Sequence, residues 1–250
     1  MLITTLGTSH GDHTYCRYNT STLFETQGQA YLVDCGEPVS ASMVRSEKPF
    51  DTLRAVFVTH GHADHVGGLP NLIKFIVKYP RQTPPLQVFV PEEEIGRGLG
   101  SWLQSVHVKW PHPSVELQTL KTGPVFDDGV LRVTTLPTQH MAHFSCPSYG
   151  FLLEAEGKRV VVSGDLKGDF SDFPKLPQNE PCDLCLCELT HYDPAVAVPI
   201  LKPCPIKRMV FHHIHNPWHG EDGEARAREI LAPLPYPIEI AHDGDTFEVH

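Results

Sequence analysis

Apolar residues along the chain come mostly in short runs rich in valine, leucine and phenylalanine, bounded by glycine, proline or aspartate, as buried strands require. These runs predict strands at Leu2–Leu6, Ser21–Glu25, Ala30–Asp34, Ala55–Val58, Leu86–Val90, Val130–Leu136, Gly150–Glu154, Arg159–Ser163, Leu184–Glu188, Arg208–Phe211 and Glu239–Ala241. Segments with helical spacing predict helices at Gly68–Tyr79, Glu92–Leu103 and Gly220–Leu231, the last with a charged face at Glu221–Arg228 suited to solvent. The mixture favours α/β layers. Prolines gather in connections such as Thr83-Pro84-Pro85 and Trp110-Pro111-His112-Pro113, where they punctuate turns. Neither a repeat nor a linker divides residues 1–250, so one domain is expected.

The densest chemistry follows the strand-like stretch Leu53–Val58. Thr59-His60-Gly61-His62-Ala63-Asp64-His65 places three imidazoles and a carboxylate in six positions, just before Gly67-Gly68. His60 and His62, two apart in an extended loop, can reach one ion together. Asp64 and His65 follow a further bend and can turn toward a second. Imidazole and carboxylate suit zinc, and also iron, manganese or nickel.

This segment resembles the His-x-His-x-Asp-His signature of the metallo-β-lactamase superfamily. The resemblance implies a four-layer αββα sandwich with the metals at one edge of the sheets. It also implies where the other ligands lie, each just after a strand-like run: His140 in Pro137-Thr138-Gln139-His140, Asp165 in Ser163-Gly164-Asp165, and His213 after Arg208-Met209-Val210-Phe211. In Phe211-His212-His213-Ile214-His215 three histidines compete; strand alternation puts His213 and His215 on one side and His212 on the other, and the resemblance favours His213. The implied set is His60, His62 and His140 on one ion, Asp64, His65 and His213 on another, and Asp165 between them. Asp34, in Tyr31-Leu32-Val33-Asp34-Cys35-Gly36, matches an aspartate that orients the site without binding metal.

Leu6-Gly7-Thr8, Asp34-Cys35-Gly36-Glu37, Ser148-Tyr149-Gly150-Phe151, Glu188 and Ala241-His242-Asp243-Gly244-Asp245 resemble the RNase Z and cyclic-phosphate phosphodiesterase branch more than the antibiotic-hydrolysing one. The expected activity is hydrolysis of a small or cyclic phosphodiester by a hydroxide bridging two divalent ions, with zinc foremost. Water between two cations has its pKa lowered from near 16 toward about 7, which supplies that nucleophile at neutral pH. Asp64 is expected to hold or accept its proton. His215 is the first choice to protonate the leaving group and His191 the second, with Glu188 orienting one of them. The short stretch between His140 and Asp165 has no room for the long arm that grips transfer RNA in RNase Z, so tRNA 3′ processing is not favoured. A lactone, thioester or other acyl hydrolase would use the same metals, and a non-catalytic metal-binding protein of this fold is the remaining class.

Charge and cysteine content narrow the partners. The formal net charge is −10, so no basic face recruits a long nucleic acid, whereas a dinuclear site keeps a local positive excess that draws a small anionic substrate. No stretch approaches the roughly 18 apolar residues of a membrane span, and Met1-Leu2-Ile3-Thr4-Thr5 lacks a signal pattern, so a cytoplasmic protein is expected. Homodimerisation stays open. Seven irregularly spaced cysteines argue against a disulfide framework; Cys182, Cys185 and Cys187 read as buried strand residues, and Cys16 has no evident metal-binding partners. The cysteine-rich zinc site that the phosphodiesterase branch carries near its N-terminus is missing here; His10-Gly11-Asp12-His13 occupies the neighbouring stretch, and either lines the pocket, binds metal or is an exposed polar loop.

Overall fold

The computed structural model describes residues 1–79 and 83–250. Among the described residues fourteen strands form two sheets: β1 (Leu2–Gly7), β2 (Ser21–Thr26), β3 (Gln29–Val33), β4 (Leu53–Phe57), β5 (Leu86–Val90), β6 (Val115–Thr119), β7 (Gly123–Asp127), β8 (Arg132–Thr138), β9 (Ser148–Ala155), β10 (Lys158–Val162), β11 (Leu184–Leu189), β12 (Met209–Ile214), β13 (Ile238–Ile240) and β14 (Thr246–Glu248). Six α-helices accompany them among the described residues: α1 (Val39–Arg45), α2 (Ala63–Val66), α3 (Leu69–Lys78), α4 (Glu93–Ser105), α5 (Pro194–Leu201) and α6 (Gly220–Leu231). The first sheet runs β14-β1-β2-β3-β4-β5-β6 and the second β13-β12-β11-β10-β9-β8-β7. Both are mixed: β3 to β6 and β10 to β13 pair in parallel, the rest antiparallel.

Alternation along the central strands divides the core into three layers. Ala55 and Phe57 of β4 join Phe24, Tyr31 and Phe151 between the sheets. Val56 and Val58, alternating with them, face outward under α1, α3 and α4 with Met43, Leu72 and Leu103. On the far side Phe211, Cys185 and Cys187 pack beneath α5 and α6 with Ala197 and Leu231. This is the αββα sandwich. All seven cysteines are free, and Cys182, Cys185 and Cys187 are buried, as small strand hydrophobes should be.

The two sheets meet along the edge that carries the histidine and aspartate motifs of the sequence. Thr59, just beyond β4, accepts a backbone hydrogen bond from Tyr149 at the start of β9, and Ile214 donates one to Thr8 beyond β1. The parallel strands β3, β4, β10, β11 and β12 all end here, so their following loops converge. Gly164 has φ +60°, and a Cβ there would lie 2.2 Å from the Tyr149 carbonyl oxygen, so only glycine permits the turn that delivers Asp165. Among the described residues no helix is long and apolar enough to cross a membrane.

Candidate metal centre

Each strand end contributes one part of the site. The loop after β4 carries His60 and His62, and α2 presents Asp64 and His65 from its first turns. His140 follows β8, Asp165 follows β10, and Glu188 and His213 lie near the ends of β11 and β12. His60, His62, His140 and Asp165 form one group of mutually close donor atoms, Asp64, His65 and His213 a second, and Asp165, His191 and His213 a third that joins them. His60 Nε2 lies 2.9 Å from His62 Nδ1, which lies 3.3 Å from His140 Nε2. Two ligands of a tetrahedral zinc ion stand about 3.3 Å apart, so the spacing suits such an ion. One oxygen, Asp165 Oδ2, is 3.6 Å from His60 Nε2 and 3.8 Å from His140 Nε2 on one side, and 3.3 Å from His65 Nε2 and 3.7 Å from His213 Nε2 on the other.

The surrounding hydrogen bonds fix which ring nitrogen faces inward. Asp34 accepts from the Thr59 amide at 2.8 Å, from Thr59 Oγ1 at 3.0 Å and from His65 Nδ1 at 2.9 Å. Thr59 Oγ1 in turn accepts from His60 Nδ1 at 3.0 Å. On the opposite sheet Thr190 Oγ1 donates to the His213 carbonyl and accepts from His213 Nδ1 at 2.9 Å. These assignments leave Nε2 of His60, His65 and His213 as lone pairs. His65 Nε2 and His213 Nε2 then face each other across 3.1 Å, each 3.2 Å from Asp64 Oδ2, an arrangement that needs a cation or a proton between them.

His213 owes its aim to a β-bulge. Glu188 pairs with His212 and Leu189 with Ile214, so His213 is the extra residue, at φ +51°, and turns into the site. The bulge corrects the alternation argument: Met209, Phe211 and Ile214 face the outer core while Val210 faces the inner one, so the two-residue period breaks at His213. His212 is buried separately, and desolvation pushes its imidazole down to about 3.

The electrostatics fit cation binding. Asp34, Asp64, Asp165 and Glu188 are between 1% and 8% exposed, and their only basic partners within salt-bridge distance, among the described residues, are histidines. Buried carboxylates left without compensation are costly, and a metal ion is the usual remedy. Burial and the charge of His65 hold His60 well below the usual imidazole range, and burial lowers His62 and His140, so all three keep the neutral form that binds metal. Burial alone would raise Asp64 and Asp165, but the neighbouring histidines outweigh it and hold both carboxyls ionised. His65 shows the converse: burial disfavours its charge, yet Asp165, Asp34 and Asp64 push it well above its ordinary value.

Of the two remaining histidines, Glu188 orients His191. Its carboxylate accepts from the amides of Leu166 at 2.7 Å, Thr190 at 2.9 Å and His191 at 3.0 Å, and its two oxygens each lie 3.0 Å from His191 Nδ1. No hydrogen bond joins it to His215 among the described residues. Burial opposes the charge of His191, but Asp165 at 3.7 Å and Glu188 raise it to about 9. His215 instead packs against His10, and burial followed by that neighbour lowers it. Thr190 carries no distinct signal in the sequence, since a lone threonine between Leu189 and His191 looks like any strand end, and the sequence assigns His219 no role.

The chain is similar to known proteins in sequence and in fold. A ribonuclease Z from Mycobacterium sp. strain KMS is 29% identical over 282 aligned positions, covering 99% of this chain and 96% of that protein. One from Mycolicibacterium paratuberculosis is 29% identical over 175 residues, covering 65% of this chain and 62% of the relative, under two thirds of its length. Among solved structures, the metallo-β-lactamase fold protein YhfI from Bacillus subtilis has a TM-score of 0.77 at 19% identity, with 99% of each chain covered. The short form of human tRNase Z has a TM-score of 0.76 at 21% identity, with both chains fully covered, and a diphosphatase of the PhnP family 0.73 at 20%, covering 100% of this chain and 98% of that one. At these identities the structures speak for the fold alone; the ribonuclease Z relatives, together with the histidine and aspartate clusters, support a metal-dependent hydrolase of the RNase Z-like branch. The family model described as anti-Pycsar protein Apyc1 matches residues 1–197, and the chain, which has the metallo-β-lactamase fold, belongs to that family.

Proposed function

We propose that the protein is a dinuclear phosphodiesterase acting on a small or cyclic phosphodiester. The observation that carries this reading is Asp165 Oδ2, one carboxylate oxygen within 3.3 to 3.8 Å of inward nitrogens from both donor groups. His60, His62 and His140 would hold one divalent ion, Asp64, His65 and His213 the other, and Asp165 both, with zinc the best match to the donors. When bound, such ions supply Lewis acidity and a water of lowered pKa.

The chain's own groups then divide the work. Asp64, held ionised and 8% exposed, would accept a hydrogen bond from the attacking water and orient it. His191 is the better leaving-group acid, displacing His215 from first choice. Its Nδ1 is engaged by Glu188, its charge is supported by two carboxylates, and its ring stays partly open to the cleft, leaving Nε2 to protonate the departing oxygen. The arrangement favours phosphorus over acyl substrates because a cationic His191 and two ions suit a substrate that brings negative charge. Against a long nucleic acid stand the formal net charge of −10 and the compact connection at residues 139–147, which carries His140 and leads straight into β9.

Metal-loaded protein assayed with bis-p-nitrophenyl phosphate beside a panel of lactones and thioesters tests the reading. Phosphodiester turnover at least about a hundredfold above that of the acyl panel is expected; preferential acyl hydrolysis would transfer the assignment to the acyl class.

A further inference from the structure

His140 differs from His60, His65 and His213 in how it is aimed. Thr59 holds the His60 ring, Asp34 that of His65 and Thr190 that of His213, whereas among the described residues no hydrogen bond reaches His140 Nδ1. Without an outer partner on the ring, the direction of the side chain depends on its backbone. That backbone has already left the sheet: Thr138 pairs with Ser148 at the last step of β8 on β9, and Val162 with Phe151 at the last step of β10 on the other side of β9. His140 and Asp165 thus lie on loops that follow β8 and β10, with β9 between those strands, so the ladders themselves do not couple the two loops.

Asp172 spans the gap between them. Its Oδ2 accepts from the amide of Gln139, the residue before His140, at 2.6 Å, and its Oδ1 from the amide of Lys167, two residues after Asp165, at 2.9 Å. Short amide hydrogen bonds to a carboxylate are among the stronger of their kind. The intervening amide, that of Leu166, goes to Glu188 at 2.7 Å, so two carboxylates hold the turn after Asp165. Ser148 Oγ also ties the His140 loop, accepting from Thr138 Oγ1 at 2.8 Å and from the Met141 amide at 3.4 Å, but these bonds do not reach the Asp165 loop.

A tether fixes its ends only if its own base is fixed. Asp172 sits between Phe170 and Phe173, both buried in the outer core, with their rings stacked at 5.0 Å and Tyr192 edge-on to Phe170 at 4.4 Å. The Phe170 amide donates to the Lys167 carbonyl at 2.9 Å and closes the turn. We propose that Asp172 is a positioning residue of the metal centre, a clamp that sets His140 against Asp165 so that both reach the ion held by His60 and His62. This rests on the dinuclear assignment above and is independent of the substrate. The pair under its control, His140 Nε2 and Asp165 Oδ2, is 3.8 Å apart. Of the second ion's ligands only the shared Asp165 is touched by the clamp; Asp64, His65 and His213 are held by other elements.

Competition titration against a zinc chelator, with zinc-edge anomalous diffraction to show which site empties, tests the clamp without turnover. In Asp172→Ala the site among His60, His62 and His140 is expected to weaken about tenfold or more, while the other stays close to wild type. Asp172→Asn fills the same space and guards against misfolding, yet it has one acceptor oxygen, and its NH2 group would oppose the second amide; the same selective loss is expected. Asp169→Ala removes a carboxylate from the same loop that engages only Ser171 and the Lys167 ammonium, and both sites should keep wild-type affinity. Wild-type affinity at both sites in either Asp172 variant overturns the clamp. So does an equal loss at both sites, or a matching loss in Asp169→Ala, since each would make Asp172 a residue of loop stability alone. A wild-type protein that takes up one ion overturns the dinuclear assignment and the clamp with it, which keeps the two failures distinguishable.

Discussion

Replacing Asp34 by asparagine isolates the device that prepares His65 for metal. Asparagine tolerates the left-handed backbone at this position, φ +60°, and its carbonyl oxygen can still accept from the Thr59 amide and hydroxyl, so the fold should survive. Its NH2 group, however, then stands opposite His65 Nδ1 at the 2.9 Å separation now spanned by a hydrogen bond. Two donors cannot share that contact, and relief comes from moving the His65 proton to Nε2. That nitrogen faces His213 Nε2 at 3.1 Å and would lose the lone pair a metal needs. Loss of an outer hydrogen bond of this kind typically weakens metal binding about 10- to 100-fold, or about 1.4 to 2.7 kcal/mol. Competition titration against a zinc chelator should therefore show one site weakened by that factor and the other close to wild type. Asp34→Ala is the harsher change, since it strands three buried donors at about 1 to 3 kcal/mol each. Retention by Asp34→Asn of two sites with wild-type affinity would refute the tautomer argument.

Three further outcomes can be measured. Glu188→Gln removes the carboxylate beside His191; a raised imidazole is protonated below its pKa and loses the donor form as pH climbs through it, so the basic limb of the kcat profile should move down by about one to two pH units, the worth of a charge-assisted hydrogen bond. An unmoved limb would remove Glu188 as the residue that positions this acid. Stripping the ions with EDTA should lower Tm by roughly 10 °C, since free metal at a thousandfold excess over Kd contributes about 4 kcal/mol; an unchanged Tm would show that the folded state gains nothing from metal. Gly164→Ala forces a Cβ to within 2.2 Å of the Tyr149 carbonyl at φ +60°, and urea unfolding should show a loss of about 3 kcal/mol or more, whereas near-native stability would contradict the close approach that sets Asp165.

The elements whose own residues bury a face were legible in the sequence. Leu86–Val90 and Gly220–Leu231 occur with the expected bounds, and most other strands differ by only one or two residues at an end. Elements fixed by context were not. Val115–Thr119 is an edge strand with one buried side chain, so its sequence carries no strand pattern, and Gly123–Asp127 is interrupted by Pro124. Pro194–Leu201 is apolar all round and contains Pro199, which hides its helical period, and Ala63–Val66 is a single turn inside a ligand motif. Within the site, residue type and position after a strand marked His60, His62, Asp64, His65, His140, Asp165 and His213. What spacing could not reveal was the direction of side chains across the sheets: the bulge at His213, the choice of Glu188 between two histidines, and the threonines that set ring tautomers all depend on partners distant in sequence.

Anomalous diffraction at the zinc edge from zinc-loaded crystals tests the central claim most directly. The account predicts two peaks about 3.5 to 4 Å apart, one among His60, His62 and His140, the other among Asp64, His65 and His213, with Asp165 reaching both. A single peak, or density displaced to His10, His215 and His219, would contradict it.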